Sequence, residues 1–133
     1  MDPIRVGIVG CGRIAHLHQM GYRDRTDARI VAVCDSKGGR ARQAAKLWGV
    51  EKVYTDYSRL LADPQIDLVE LLTPHHLHAE MTVQACQAGK HVSVQKPMAM
   101  NVAEADRMIQ AAEQAGVILR VYENFVFYPP NVR

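Results

Sequence analysis

The sequence predicts an α/β fold, a doubly wound sheet of six parallel strands in the order 3-2-1-4-5-6. Three observations predict it. Apolar runs of strand length alternate with helical patterns along all 133 residues, and parallel neighbours need such long crossovers. A glycine-rich turn, Gly10-Cys11-Gly12-Arg13-Ile14-Ala15, joins the first apolar run to the first helical one. An acid, Asp35, ends the next apolar run. Right-handed crossovers then set the strand order.

Each element has its own signal. The first strand is expected near 5–9, and Ala15 to Tyr22 carries the first helix. The second strand lies near 30–34, in Ile30-Val31-Ala32-Val33-Cys34. Ala41, Ala44, Ala45 and Trp48 recur at helical spacing, and Gly49 ends that helix before the third strand at 52–54. Asp56 caps a short helix through Leu60 and Leu61. The turn Asp63-Pro64 leads into the fourth strand at 68–72, whose apolar pattern Glu70 interrupts. Leu77, Met81, Ala85 and Ala88 share a helix face, which Gly89 closes before the fifth strand at 91–94. Asn101 and Glu104 have the spacing of a capping box, with Asn in place of Ser or Thr. Ala105, Met108, Ile109 and Ala112 form the face of the last helix, and Gly116 precedes the sixth strand at 117–121. Glycine just past a helix end takes the left-handed conformation at little cost.

Composition narrows the function. The chain is 48% hydrophobic and 23% charged, with a net charge of +2. That balance suits one soluble domain over 1–133, and it carries no electrostatic footprint for nucleic acid or a membrane surface. No apolar run reaches membrane-spanning length, and the N-terminus enters a strand almost at once, unlike a targeting peptide. The three cysteines, Cys11, Cys34 and Cys86, are odd in number and fit no zinc spacing. A reducing cytoplasm is the expected setting. Cys11 in the glycine turn reads as a small residue filling a tight space.

Ligands of such sheets bind beyond the carboxyl ends of the strands. That rule gathers Gly10, Asp35, Thr73, Gln95, Lys96 and the stretch Tyr122 to Asn124 on one rim. Gly10 lets the first strand turn sharply, and Gly12 lets a pyrophosphate approach the backbone. The helix opening at Arg13 and Ile14 offers N–H groups and a positive dipole end to phosphate. Glycine turn, helix start and downstream acid together describe a dinucleotide site in a Rossmann-type sheet. Asp35 can accept hydrogen bonds from the ribose hydroxyls of NAD and would repel the 2′-phosphate of NADP. NAD is therefore the preferred cofactor, with NADP left open by the cations Lys37 and Arg40. The other reading of Asp35 is a cap for the next helix. Thr73-Pro74-His75-His76-Leu77-His78 follows the fourth strand, and Thr73, Pro74 and His78 are expected beside the nicotinamide. The histidines lack partners at ligand spacing, so no metal is expected. His16 and His18, two apart, share no helix face and read as packing or surface residues. Lys96, in Gln95-Lys96-Pro97, puts an ammonium where it can hydrogen-bond a substrate hydroxyl and stabilise an alkoxide.

These segments resemble one family. Gly7 to Ala15, Thr73-Pro74 with His78, Lys96-Pro97, Val121-Tyr122-Glu123-Asn124 and Pro129-Pro130 look like the glucose-fructose oxidoreductase, inositol dehydrogenase and rhizopine catabolism proteins, in order and across essentially the whole chain. The resemblance implies an NAD(P)-dependent oxidoreductase acting on sugars, polyols or related carbonyl compounds. It makes Lys96 the catalytic, substrate-orienting residue. Members carry Glu where this chain has Gln95, which keeps hydrogen bonding beside the cofactor but loses the charge. Asn124 matches the family's asparagine near the site. Similar proteins continue into a second α+β domain that supplies substrate contacts and the oligomer interface. The chain is thus expected to be the cofactor domain of a homo-oligomeric parent, binding dinucleotide with little turnover alone. The alternative is a non-catalytic dinucleotide sensor or regulatory module.

Overall fold

The computed structural model describes residues 2–122. Six strands and five helices follow one another as β1 (Ile4–Val9), α1 (Arg13–Met20), β2 (Ala28–Cys34), α2 (Gly38–Trp48), β3 (Lys52–Tyr54), α3 (Tyr57–Leu61), β4 (Leu68–Leu71), α4 (His78–Gln87), β5 (His91–Gln95), α5 (Val102–Ala115) and β6 (Leu119–Tyr122). A single 3-10 turn, His75–Leu77, precedes α4. The sheet order is β3-β2-β1-β4-β5-β6, and all five pairings are parallel. This is the doubly wound sheet that the alternation of patterns predicts.

The strands alternate their side chains between two cores. Val6, Ile8 and Val33 pack with Ala15, Ala41, Ala44 and Ala45 on one side. Val69, Leu71, Val92 and Val94 pack with Leu60, Ala79, Ala85, Cys86, Met108 and Ala112 on the other. Alanine at the helix contacts lets α1, α2 and α4 approach the sheet closely. The chain reverses after β3, so α4 and α5 cross on the face opposite α1 and α2. Over the far half of the first face lies a groove of about 710 Å³, lined in part by Ile4, Leu17, Leu68, His91 and Tyr122.

Several boundaries move for physical reasons. Of the expected stripe Leu77, Met81, Ala85 and Ala88, Ala85 is buried and Met81 packs half-buried on the core, while Leu77 and Ala88 are exposed; the buried face is His78, Ala79, Thr82, Ala85 and Cys86. Leu77 belongs to the 3-10 turn and is exposed, so the helix starts later and turns a face shifted from that stripe inward. On α5, Met108 and Ala112 are buried while Ile109 is exposed. The sixth strand begins at Leu119 rather than 117. The Val117 amide still bonds the end of α5 at Ala112 O (3.1 Å), and the Ile118 amide donates to His91 Nδ1 (3.0 Å). Both donors are spent before the ladder starts. The caps hold: Asp56 accepts from the Ser58 amide, and Asn101 accepts from the Glu104 amide at 2.9 Å. The Glu104 carboxylate reaches back to the Met100 amide, one residue beyond the usual capping-box partner at Asn101.

At the opposite end from the rim, Arg5 on β1 grips Asp67, which leads into β4. Its Nε and Nη2 donate to the two carboxylate oxygens at 3.0 and 2.8 Å, and the Arg5 amide adds a third bond at 2.8 Å. Bonding to Arg5 holds the Asp67 carboxyl at about 2, below its ordinary 3.8. A carboxylate depressed on folding stabilises above its unfolded value, and that stability is lost as pH falls through the folded one. Acid titration of stability, followed by urea unfolding, should therefore show a loss between about pH 4 and pH 2. Asp67→Asn should reduce that limb, leaving the part due to Asp63, which, against burial, Tyr54, the Gln65 amide and Lys52 also hold at about 2. An unchanged limb in the variant would remove Asp67 from it.

Candidate functional site

The rim is built from the glycine turn outward. Gly10 has φ +96°, and a Cβ there would lie 2.6 Å from the carbonyl oxygen of Leu72 at the end of β4. Its amide donates to Cys34 O at 2.8 Å, and the Leu72 amide donates to Val9 O at 2.8 Å. The turn is thus wedged between the ends of β2 and β4. Only glycine meets both the conformation and the clearance. Gly12 is the N-cap of α1 and brings no capping side chain, and the first turn of α1 holds no acid. A Cβ at Gly12 would meet nothing nearer than Arg40 Nη1 at 4.0 Å. The leading amides of α1, at Arg13 and Ile14, therefore open on a space fit for an anion. Ala15, fully buried, seats the helix on the sheet.

Asp35 does not cap α2, whose N-cap Lys37 has no side-chain cap bond, but its carboxylate is held by two main-chain amides. Its Oδ2 accepts from the Cys11 amide at 2.9 Å and its Oδ1 from the Lys37 amide at 2.8 Å. Lys37 is the N-cap of α2. The carboxylate therefore ties the glycine turn to the β2–α2 turn. Each of its oxygens retains a further lone pair for a ribose hydroxyl. Cys11 fills the space under the turn, its thiol 3.6 Å from Cys34 O. Burial first, then the charge of Asp35, raises the Cys11 thiol to about 11. Burial likewise raises Cys34 to about 12. Neither is a nucleophile at neutral pH.

The other half of the rim follows β4 and β5. Thr73 is half-buried, and its Oγ1 is a buried hydroxyl with no hydrogen-bond partner among the described residues. Thr82 and Ser93 hold buried hydroxyls of the same kind. Pro74 is exposed and holds φ at −56°. His78, expected to flank the nicotinamide, is fully buried instead. Its Nδ1 faces Pro97 O at 2.8 Å and its Nε2 faces Thr73 O at 2.9 Å. The ring braces the loop after β4 against the chain after β5, and reaches the rim only through what it holds. Gln95 is half-buried at the end of β5, and Lys96 follows it exposed. The peptide bond between Lys96 and Pro97 is cis. Asn124 lies outside the described residues. No group of three or more His, Cys, Asp or Glu is placed to hold a metal ion among the described residues.

The structure adds a cluster that the pattern did not assign. Glu70, in the middle of β4, is fully buried. It pairs through Oε1 with His18 Nδ1 on α1, and its Oε2 accepts from the Tyr22 hydroxyl at 2.6 Å. His18 Nε2 faces the Gln95 side-chain nitrogen at 3.3 Å, and the Tyr122 ring packs edge-on against the imidazole at 4.7 Å. Burial, and then the Glu70 charge, push the Tyr22 hydroxyl strongly up. The only sequence signal was an acid interrupting an apolar strand, which names no partner.

Residues 4–123 match a family described as an oxidoreductase family with an NAD-binding Rossmann fold. The chain belongs to the Gfo/Idh/MocA oxidoreductases. It is 38% identical to D-apiose dehydrogenase of Paraburkholderia graminis over 92% of this chain and 32% of the relative. It is 36% identical to myo-inositol 2-dehydrogenase of Thermotoga maritima over 87% of this chain and 35% of that one. It thus spans about a third of the length of these relatives. Among solved structures, the WlbA dehydrogenase of Bordetella pertussis, in complex with NADH and UDP-GlcNAcA, superposes with a TM-score of 0.88 at 33% identity, covering 97% of this chain and 39% of that one. A biliverdin reductase from Synechocystis, in complex with biliverdin and NADP+, gives 0.86 at 31% identity, over 93% and 39%. No helix among the described residues is long and apolar enough to cross a membrane.

Gly10→Ala should cost at least about 2 kcal/mol, because it forces a left-handed φ and a clash with backbone oxygen. Urea unfolding of the variant measures it. A midpoint equal to that of the parent chain would show that the turn relaxes freely.

Proposed function

We propose that this chain is the dinucleotide-binding part of an oxidoreductase that moves hydride between a nicotinamide cofactor and a sugar, polyol or related carbonyl compound. The observation that carries this reading is the open α1 N-terminus behind Gly10 and Gly12, with Asp35 bracketing the same turn. The names of the curated relatives, dehydrogenases of apiose and inositol, support the substrate class. A bound nicotinamide ring supplies the hydride donor or acceptor. The amides of Arg13 and Ile14 hold the pyrophosphate, and Asp35 accepts from the adenosine ribose hydroxyls. Thr73 Oγ1 and Pro74 border the nicotinamide side, with Gln95 and Asn124 beside it. The Lys96 ammonium hydrogen-bonds the substrate oxygen and stabilises negative charge there as its proton leaves.

Alone, the chain binds dinucleotide with little turnover, since the wall that positions a substrate is needed for hydride to pass. The parent works as a homo-oligomer in a reducing cytoplasm, a setting that the three free, buried cysteines suit. Gln95 in place of the family's Glu favours a second reading, a dinucleotide sensor without catalysis. Lys96 at the rim weighs against it, because a sensor has no use for a cation at the reacting carbon.

Calorimetric titration separates the cofactor forms. NAD should bind more tightly than NADP, and Asp35→Ser should weaken NAD by about tenfold and narrow or reverse the preference. Tighter binding of NADP by the unaltered chain would overturn the role of Asp35. Lys96→Ala should leave dinucleotide affinity unchanged and reduce turnover of the full-length protein at least about a hundredfold. Turnover at the normal rate would take Lys96 out of the mechanism and favour the sensor.

A further inference from the structure

We propose that His18 and Glu70 are positioning residues for Lys96, acting through the Gln95 carboxamide. The inference rests on the reading above that Lys96 meets the reacting oxygen.

Glu70 needs a reason. It sits opposite Ser93 in the β4–β5 register and is fully buried. A buried carboxylate is costly unless every lone pair finds a donor, and a valine or leucine would close the same sheet without that cost. His18 and Tyr22, which bond its two oxygens, both come from the α1 segment, and the Tyr122 hydroxyl of β6 also interacts with it. The group is therefore more elaborate than packing requires.

From Lys96 to Glu70 the hydrogen bonds run in one direction. Gln95 Oε1 accepts from the Lys96 amide at 3.0 Å. That leaves the Gln95 side-chain nitrogen, a donor, facing His18 Nε2 at 3.3 Å. His18 Nε2 must then accept, so the ring hydrogen sits on Nδ1 and is donated to Glu70 Oε1. Tyr22 closes the chain by donating to Oε2 at 2.6 Å. From the Lys96 amide each donor points on to the next group as far as Glu70, which accepts from both His18 and Tyr22 and donates to neither. Carboxylate, imidazole and carboxamide together hold the end of β5. The residue whose amide they hold is the one that carries the reacting ammonium.

The chain also joins the two halves of the site. His18 lies about one and a half turns along the helix whose N-terminus faces the pyrophosphate. Its side chain is only 7% exposed, and the Tyr122 ring closes its other flank. A shift of α1 at the phosphate end is thereby transmitted to Gln95 and Lys96 through bonded groups. A glutamate at 95, the family's residue, would set a second carboxylate on the same imidazole. Glutamine leaves Glu70 as the one acid of the network and keeps the amide bond to Lys96.

The test uses amide hydrogen exchange on the ¹⁵N-labelled chain. The double variant His18→Leu with Glu70→Gln removes the chain of bonds without stranding a buried charge. The Lys96 amide should exchange about tenfold faster in it than in the unaltered chain, with the amides of Val92 and Val94 unchanged. An unchanged Lys96 rate in a folded variant would overturn the proposal. A second measurement needs no variant: the imidazole ¹⁵N spectrum should show the His18 hydrogen on Nδ1, and a hydrogen on Nε2 alone would break the direction of the chain. In the full-length protein, the double variant should lower kcat by about tenfold while leaving KM for the dinucleotide unchanged. A kcat equal to that of the parent would reduce the network to a structural role. A chain that binds no dinucleotide at all removes the functional reading instead, and with it the catalytic purpose of the brace, whatever the exchange rates are.

Discussion

The contact between Gly10 and the Leu72 carbonyl is the constraint from which the site follows. Because no side chain intervenes, the first turn can lie directly against the end of β4. That closeness sets where α1 begins and how its amides point. It also brings Cys11 within reach of Asp35, so that one carboxylate can hold the turn and the start of α2 together. A bulkier residue would press on the Leu72 carbonyl and push the turn, with the Cys11 amide, away from Asp35. The open start of α1 is therefore a consequence of how β1, β2 and β4 end, more than of any side chain.

The two halves of the rim are organised differently. Beside the glycine turn, a single acid steadies main-chain groups. At the ends of β4 and β5, buried histidines do the steadying. His78 clamps the Thr73 and Pro97 carbonyls, and His18 connects Gln95 to Glu70. Both rings act from behind the surface, and both grip the chain on which Lys96 stands. Under the proposed function, that stiffness lies out of solvent behind the groups assigned to cofactor and substrate.

Much of the fold was legible in the sequence. The strand order followed from alternation and crossover handedness, and Gly10, Gly12 and Asp35 marked the turn after β1 and the acid beside it by residue type and spacing. Gly49, Gly89 and Gly116 marked helix ends and adopt the left-handed φ expected of them. What stayed hidden depended on contacts distant in sequence. The face that α4 buries was read only in part because the 3-10 turn at His75–Leu77 shifts its start, which periodicity cannot register. The start of β6 depended on His91, a side chain 27 residues away, accepting the Ile118 amide. His78 looked like a rim residue because it follows the fourth strand closely, yet its burial depends on the path of Pro97. Glu70 read as a flaw in a strand because its partners, His18 and Tyr22, lie 52 and 48 residues earlier.

Crystals of the chain grown with NADH test the central claim most directly. The diphosphate should lie against the Gly10–Gly12 main chain, within hydrogen-bond reach of the Arg13 and Ile14 amides, with the adenosine ribose on Asp35. A diphosphate bound elsewhere, or a ribose that leaves Asp35 untouched while the coenzyme is fully occupied, would contradict the account.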